Sequence, residues 1–104
     1  MIFCVNKSLG MSKGKIASQT AHAAHIATDY ILKNKINIEI YNQWYSNGAK
    51  MIVLGLTEDE MYQIKKMRND IIWVYDAGLT QIEPHSLTTI CIFPTKEKLK
   101  YKLL

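Results

Sequence analysis

Arginine is nearly missing from this chain. Of its thirteen basic residues only Arg68 is an arginine, and the rest are lysines. Lysine attracts phosphate as a point charge but lacks the planar fork that reads guanine edges. Base-specific readout is therefore disfavoured, whereas contact with a nucleic-acid backbone is not. Cysteine is equally scarce, with Cys4 and Cys91 the only two, each inside an apolar strand-like segment. Buried structural thiols are expected; a cross-strand disulfide stays open, and nothing else points to an oxidising compartment. Apolar runs such as Met51 to Leu54 and Ile71 to Tyr75 are far too short to span a bilayer, so no membrane partner is expected. Met1-Ile-Phe-Cys-Val5 shows no basic leader and no small-residue cleavage site, and reads as a first strand. A cytoplasmic location is the resulting expectation.

What is present fits one globular domain spanning residues 1–104. A chain of 104 residues and 12.0 kDa can bury a single core but not two. Apolar residues make up 48% and charged residues 21%, as in ordinary soluble proteins. The net charge of +4 and pI near 9.1 tilt the partner expectation towards polyanions.

Residues 2–5 read as a strand and Asn6 to Gly10 as a loop. From about residue 13 to 33 no proline interrupts a helical recurrence of Ile16, Thr20, Ala23, Ala27, Tyr30 and Ile31, which predicts a long helix with a small-residue face on a sheet. Asn34 to Asn37 breaks it, and a shorter helix over about 38–46 ends near Asn47-Gly48. Lys50 to Gly55 reads as a strand. Thr57-Glu-Asp-Glu60 matches a capping box, opening a helix that reaches about Met67. Ile71 to Tyr75 and Leu87 to Phe93 read as strands, and Thr95 to Leu104 as a last helix bearing four lysines. The order β-α-α-β-α-β-β-α predicts a three-layer α/β/α fold: a four-stranded mixed sheet, mostly parallel, with helices on both faces. The short link before residue 87 suggests one antiparallel pairing.

Two clusters carry candidate chemistry. Lys13 and Lys15 fall in the first turn of the long helix, where the free N–H groups already give positive character. Cations there, flanked by Gly10 and Gly14, suggest a bound anion, although Lys13 alone reads better as a solvated group. Lys15, Gln19 and His22 share one helix face. His22 and His25 have no further ligand-type partners, so no metal is expected. Asp76 directly follows the Ile71 to Tyr75 strand, and ligands in open α/β sheets bind outside the carboxyl ends of strands. If that strand runs parallel to the first, Lys15 and Asp76 converge on one edge of the sheet.

Three stretches resemble the archaeal/eukaryotic-type (second-class) peptidyl-tRNA hydrolases. Met11-Ser-Lys-Gly-Lys-Ile-Ala-Ser-Gln-Thr-Ala-His-Ala23 is similar to that family's M-x-K-G-K-x-A-x-Q-x-x-H-A. Trp44, Gly48 and Lys50 match its W-x-x-x-G-x-K, and Asp76-Ala-Gly-Leu-Thr-Gln-Ile82 with Pro84 matches its D-A-G-R-T-Q-I-x-P. The likeness covers essentially the whole chain. It implies hydrolysis of the ester between peptide and tRNA, with tRNA as partner and no cofactor. It makes Lys15, Asp76 and Thr80 the catalytic candidates, with Gln19, His22 and Gln81 lining the same pocket; for the tRNA, Lys13, Lys50 and the tail lysines are the candidate phosphate contacts. A direct water attack is expected, because no G-x-S-x-G elbow is present. The chain departs from the family where Leu79 replaces an arginine, where Asn6-Lys-Ser8 replaces Arg-x-Asp, and where His85-Ser-Leu87 replaces Gly-x-Arg. The helix after Thr57 is about a turn shorter. A non-catalytic tRNA- or RNA-binding module on the same fold is the alternative, and a protein-contact role through Tyr41 to Tyr45 a more distant one. A homodimer is left open.

Overall fold

A computed structural model of the chain describes residues 1–76 and 86–96. Strand β1 (Ile2–Asn6) leads through a 3₁₀ turn to helix α1 (Lys13–Asn34), then helix α2 (Ile38–Ser46) and strand β2 (Ile52–Leu56). Helix α3 (Glu58–Met67) follows, then strands β3 (Ile71–Tyr75) and β4 (Leu87–Ile92). The expected elements within the described residues are therefore present to within a residue or two. Most of the expected last helix, and the whole of Ala77 to His85, lie outside the described residues.

The sheet order is β2-β1-β4-β3. β1 pairs parallel with β2, while β4 pairs antiparallel with both β1 and β3. Three strands thus run one way and β4 runs against them, giving the expected mixed sheet. The reversed strand sits between β1 and β3 and so makes two antiparallel ladders, where the short β3–β4 link alone suggested one. β1 and β3 point the same way without touching.

Strand alternation divides the core. On one face Cys4, Leu54, Leu56, Leu87, Ile90 and Ile92 pack under Met61 and Ile64 of α3. On the other, Phe3, Val74, Cys91 and Phe93 pack under Ala23, Ala27 and Ile31 of α1 and Tyr41 of α2. The small alanines, fully buried, let α1 lie close on the sheet, as its sequence spacing predicts. Cys4 and Cys91 belong to opposite faces: Cys4 pairs with Ile90 and Phe3 with Cys91 across the β1–β4 ladder. Both thiols are free, so the disulfide that the sequence left open does not form.

Local chemistry sets the element ends. Thr57 Oγ1 accepts from Glu60 N at 3.3 Å and Glu60 Oε1 accepts from Thr57 N at 2.9 Å, the reciprocal capping box expected there. The bond from Thr57 N, and a second donated by Thr57 Oγ1 to Glu60 Oε1 at 3.0 Å, hold the Glu60 carboxyl below the usual carboxylate range. Lys35 ends α1 with a left-handed backbone at φ 52°. Gly48, at φ 105°, takes the turn after α2, a conformation that strains a side-chain-bearing residue.

Asn6, read from sequence as the start of a loop, is the fully buried last residue of β1. Its Nδ2 donates to Leu87 O at 2.9 Å and its Oδ1 accepts from Ser8 N at 3.0 Å. One amide thereby ties β1 to β4 and closes the following turn.

Candidate active site

α1 starts where the chain leaves the C-terminal end of β1, and β3 ends on the same rim of the sheet. Gly10, at φ 60°, turns the chain into α1, and Ser12 caps the helix by accepting from Lys15 N at 3.2 Å. No acidic residue occupies the first turn. The helix end therefore keeps its partial positive charge, and Lys15 adds a full one.

Asp76 leaves β3 with its N–H bonded to Ser86 O at 2.9 Å, which holds it in line with the strand. Alternation turns its side chain to the face covered by α1. There Asp76 Oδ1 meets Lys15 Nζ at 2.5 Å, with side-chain exposures of only 2% and 11% respectively. The convergence expected from parallel β1 and β3 is present. It arises although β4 separates the two strands, because all that matters is that both carboxyl ends reach one rim.

Such a pair is short and mostly dry. Removing charges from water is costly, and the attraction between them repays that cost only when geometry is good. A carboxylate and an ammonium held together beside a helix N-terminus can orient a water molecule and stabilise a developing oxyanion.

The other expected residues separate. Gln19, one turn beyond Lys15 on the same face, is buried. His22 is exposed, roughly 10 Å further along the axis from Lys15 at helical rise. Lys13 is exposed in the first turn and lines an apolar groove of about 600 Å³ between α1 and β2. Thr80 and Gln81 lie outside the described residues. Lys50 is exposed just before β2, on the opposite rim, about 16 Å of strand away from the Lys15–Asp76 pair. The structure does not bring it to the site. Its segment has a structural use instead: Trp44 Nε1 donates to Lys50 O at 2.7 Å and Ala49 N donates to Trp44 O at 2.9 Å, around the Gly48 turn.

One residue near the rim escaped sequence reasoning. Thr89 is fully buried in β4, opposite Val74, which puts it on the α1 face diagonal to Asp76. Its hydroxyl has no hydrogen-bond partner among the described residues. The neighbouring Thr88 hydroxyl donates to Val74 O at 3.1 Å. Two threonines inside an otherwise apolar strand were the available signal. Among the described residues no three His, Cys, Asp or Glu side chains gather as a metal site would need.

The fold and the rim pair define a small α/β protein whose polar site lies at the carboxyl ends of its strands. Residues 1–103 match the family described as peptidyl-tRNA hydrolase PTH2. A Thermoplasma acidophilum protein named peptidyl-tRNA hydrolase is 42% identical over 117 aligned residues, covering 100% of this chain and 97% of that protein. Proteins of the same name from Thermococcus onnurineus and Nanoarchaeum equitans are each 33% identical, covering 98% and 90% of this chain and 89% and 84% of theirs. The chain belongs to the peptidyl-tRNA hydrolase PTH2 family. No helix among the described residues is long and apolar enough to cross a membrane.

Proposed function

We propose that this chain hydrolyses the ester bond between peptide and tRNA in peptidyl-tRNA, releasing both. The observation that carries this reading is the desolvated Lys15–Asp76 pair at the α1 N-terminus, on a chain that matches the family almost from end to end. Water adds to the ester carbonyl carbon, its proton passing towards Asp76. The carbonyl oxygen becomes an oxyanion, which the Lys15 ammonium and the helix end stabilise. The bond from carbon to ribose oxygen then breaks, and that oxygen leaves with a proton. Overall the acyl group takes OH and the ribose takes H from one water. Thr80 is assigned as a further hydrogen-bond partner of the water, and Gln19 and Gln81 as pocket residues. Lys13 contacts phosphate near the rim; Lys50 and His22 would meet only more distant parts of a large substrate. The whole of residues 1–104 acts as a single domain, in the cytoplasm where such a substrate is found.

The test is incubation with an N-blocked aminoacyl-tRNA and measurement of deacylated tRNA. Turnover that disappears in a folded Lys15 variant supports the reading. Tight tRNA binding with no turnover would transfer the chain to the class of non-catalytic RNA-binding modules.

A further inference from the structure

The face of β3 turned away from Asp76 carries a second group of residues. Trp73 and Tyr75 alternate with Val74 and Asp76, so they project on the α3 side of the sheet. β3 is an edge strand, and Trp73 remains 44% exposed, Tyr75 38% and Tyr62 of α3 44%. Lys65 of α3 reaches into this group. Its Nζ lies 4.7 Å from the Trp73 ring centroid, 5.0 Å from Tyr75 and 5.9 Å from Tyr62, and donates to the Tyr75 hydroxyl at 2.5 Å. A concavity of about 430 Å³ opens beside them, lined by Tyr62, Gln63, Lys65 and Lys66.

Three open rings around one fixed ammonium are poorly explained by folding alone. Aromatic area of this size is normally buried, and exposed aromatic surface rimmed by charge marks a binding face. Lys65 and Lys66 make the patch positive, which excludes a cationic partner and favours an anionic one. A flat π surface beside fixed positive charge is the arrangement that binds single-stranded nucleic acid, with bases stacking on rings and phosphates meeting lysines. It needs no arginine fork, in keeping with a chain that has one arginine. Tyr75 directly precedes Asp76, about 3.8 Å away along the backbone, and its ring lies on the opposite face, so the patch is reached from the ester around the edge of the sheet.

We propose that Trp73, Tyr75 and Tyr62, with Lys65 and Lys66, form a stacking platform for unpaired nucleotides near the acceptor end of the tRNA substrate. The strand runs from the ester at Asp76 around β3, the edge strand among the described residues, and its bases stack on the α3 side. This rests on the hydrolase reading, and the two can fail separately.

The test uses Trp73→Ala, Tyr62→Ala and the ring-preserving Trp73→Phe. Two quantities are measured: KM and kcat on an N-blocked aminoacyl-tRNA, and the Kd of a fluorescently labelled single-stranded oligoribonucleotide ending in CCA. Stacking of one base corresponds to roughly tenfold or more in affinity. Trp73→Ala and Tyr62→Ala should each raise Kd and KM by about that factor, with the loss carried by KM rather than kcat. Trp73→Phe should regain most of it. Oligonucleotide affinity unchanged in both alanine variants overturns the platform, whatever the wild type does with peptidyl-tRNA. A raised KM confined to substrates with an aromatic peptide, at unchanged oligonucleotide Kd, assigns the rings to the peptide and also overturns it. Weakened oligonucleotide binding in a protein that turns over no peptidyl-tRNA keeps the platform and discards the hydrolase.

Discussion

Lys15 and Asp76 lie 61 residues apart in sequence and meet at 2.5 Å in a site almost closed to solvent. In the proposed reading the pair serves both stability and chemistry, and substitutions can separate the two. Lys15→Ala leaves the Asp76 carboxylate buried without this cation, a loss of about 3–5 kcal/mol for a pair of this kind. Replacing both members with apolar groups, as in Lys15→Met with Asp76→Leu, removes that burden. The double variant should recover most of the urea midpoint lost by Lys15→Ala while remaining inactive on N-blocked aminoacyl-tRNA. Asp76→Asn, which keeps shape and loses the base, should lower kcat by roughly a hundredfold or more. Activity near wild type in folded Asp76→Asn would remove Asp76 from the mechanism.

Binding to tRNA should respond to salt in proportion to the lysines that meet phosphate. Each phosphate contact adds a little under one to the slope of log affinity against log salt. Lys13→Gln, at the rim, should flatten that slope by about one and weaken binding across all tRNAs alike. Lys50→Gln, on the opposite rim, should change it less. Filter binding between about 50 and 200 mM salt decides the matter. Equal effects of the two substitutions would mean that tRNA wraps both rims.

Local signals made most of this fold legible. The Thr57–Glu60 box, the Ile71 to Tyr75 strand and the alanine stripe of α1 depend on residues within a few positions, and their elements stand where the sequence puts them. Long-range choices were less visible. Nothing near Leu87 says that β4 inserts between β1 and β3, since strand order is set by pairing across the whole chain. Asn6 misled because asparagine favours turns, and its buried bond to Leu87 O joins residues 81 apart. The site divided likewise. Lys15 and Asp76 were readable because helix start and strand end both define a rim, whereas Lys50, expected as a phosphate contact, lies at the other rim. Trp73 and Tyr75 read as strand formers, and only the edge position of β3 leaves their rings open.

The Asn6 amide should be worth measuring directly. Asn6→Ala removes a buried donor, leaves Leu87 O without that bond and uncaps Ser8 N. The expected loss is about 1–3 kcal/mol, read from urea unfolding, with kcat on folded protein little changed. A loss below about 0.5 kcal/mol would show that the β1–β4 ladder holds this end of the sheet without the amide.

Alkali should weaken the protein through its two thiols. Burial pushes both Cys4 and Cys91 up to about 12, from 9.0 in the unfolded chain. Below pH 9 both states keep the thiols protonated, and their contribution is fully present. Between pH 9 and 12 the unfolded chain ionises while the folded one does not, so unfolding becomes easier as pH rises. The urea midpoint should therefore fall from pH 8 to pH 10.5 by more in the wild type than in a Cys4→Ala/Cys91→Ala variant, whose lower baseline is accounted for at pH 7. Thiol reagents give the complementary reading, because only the thiolate reacts. At pH 8 native protein should resist Ellman's reagent, and both thiols should react once urea unfolds it. Rapid native labelling would mean that the sheet opens far more readily than two thiols buried on its opposite faces imply.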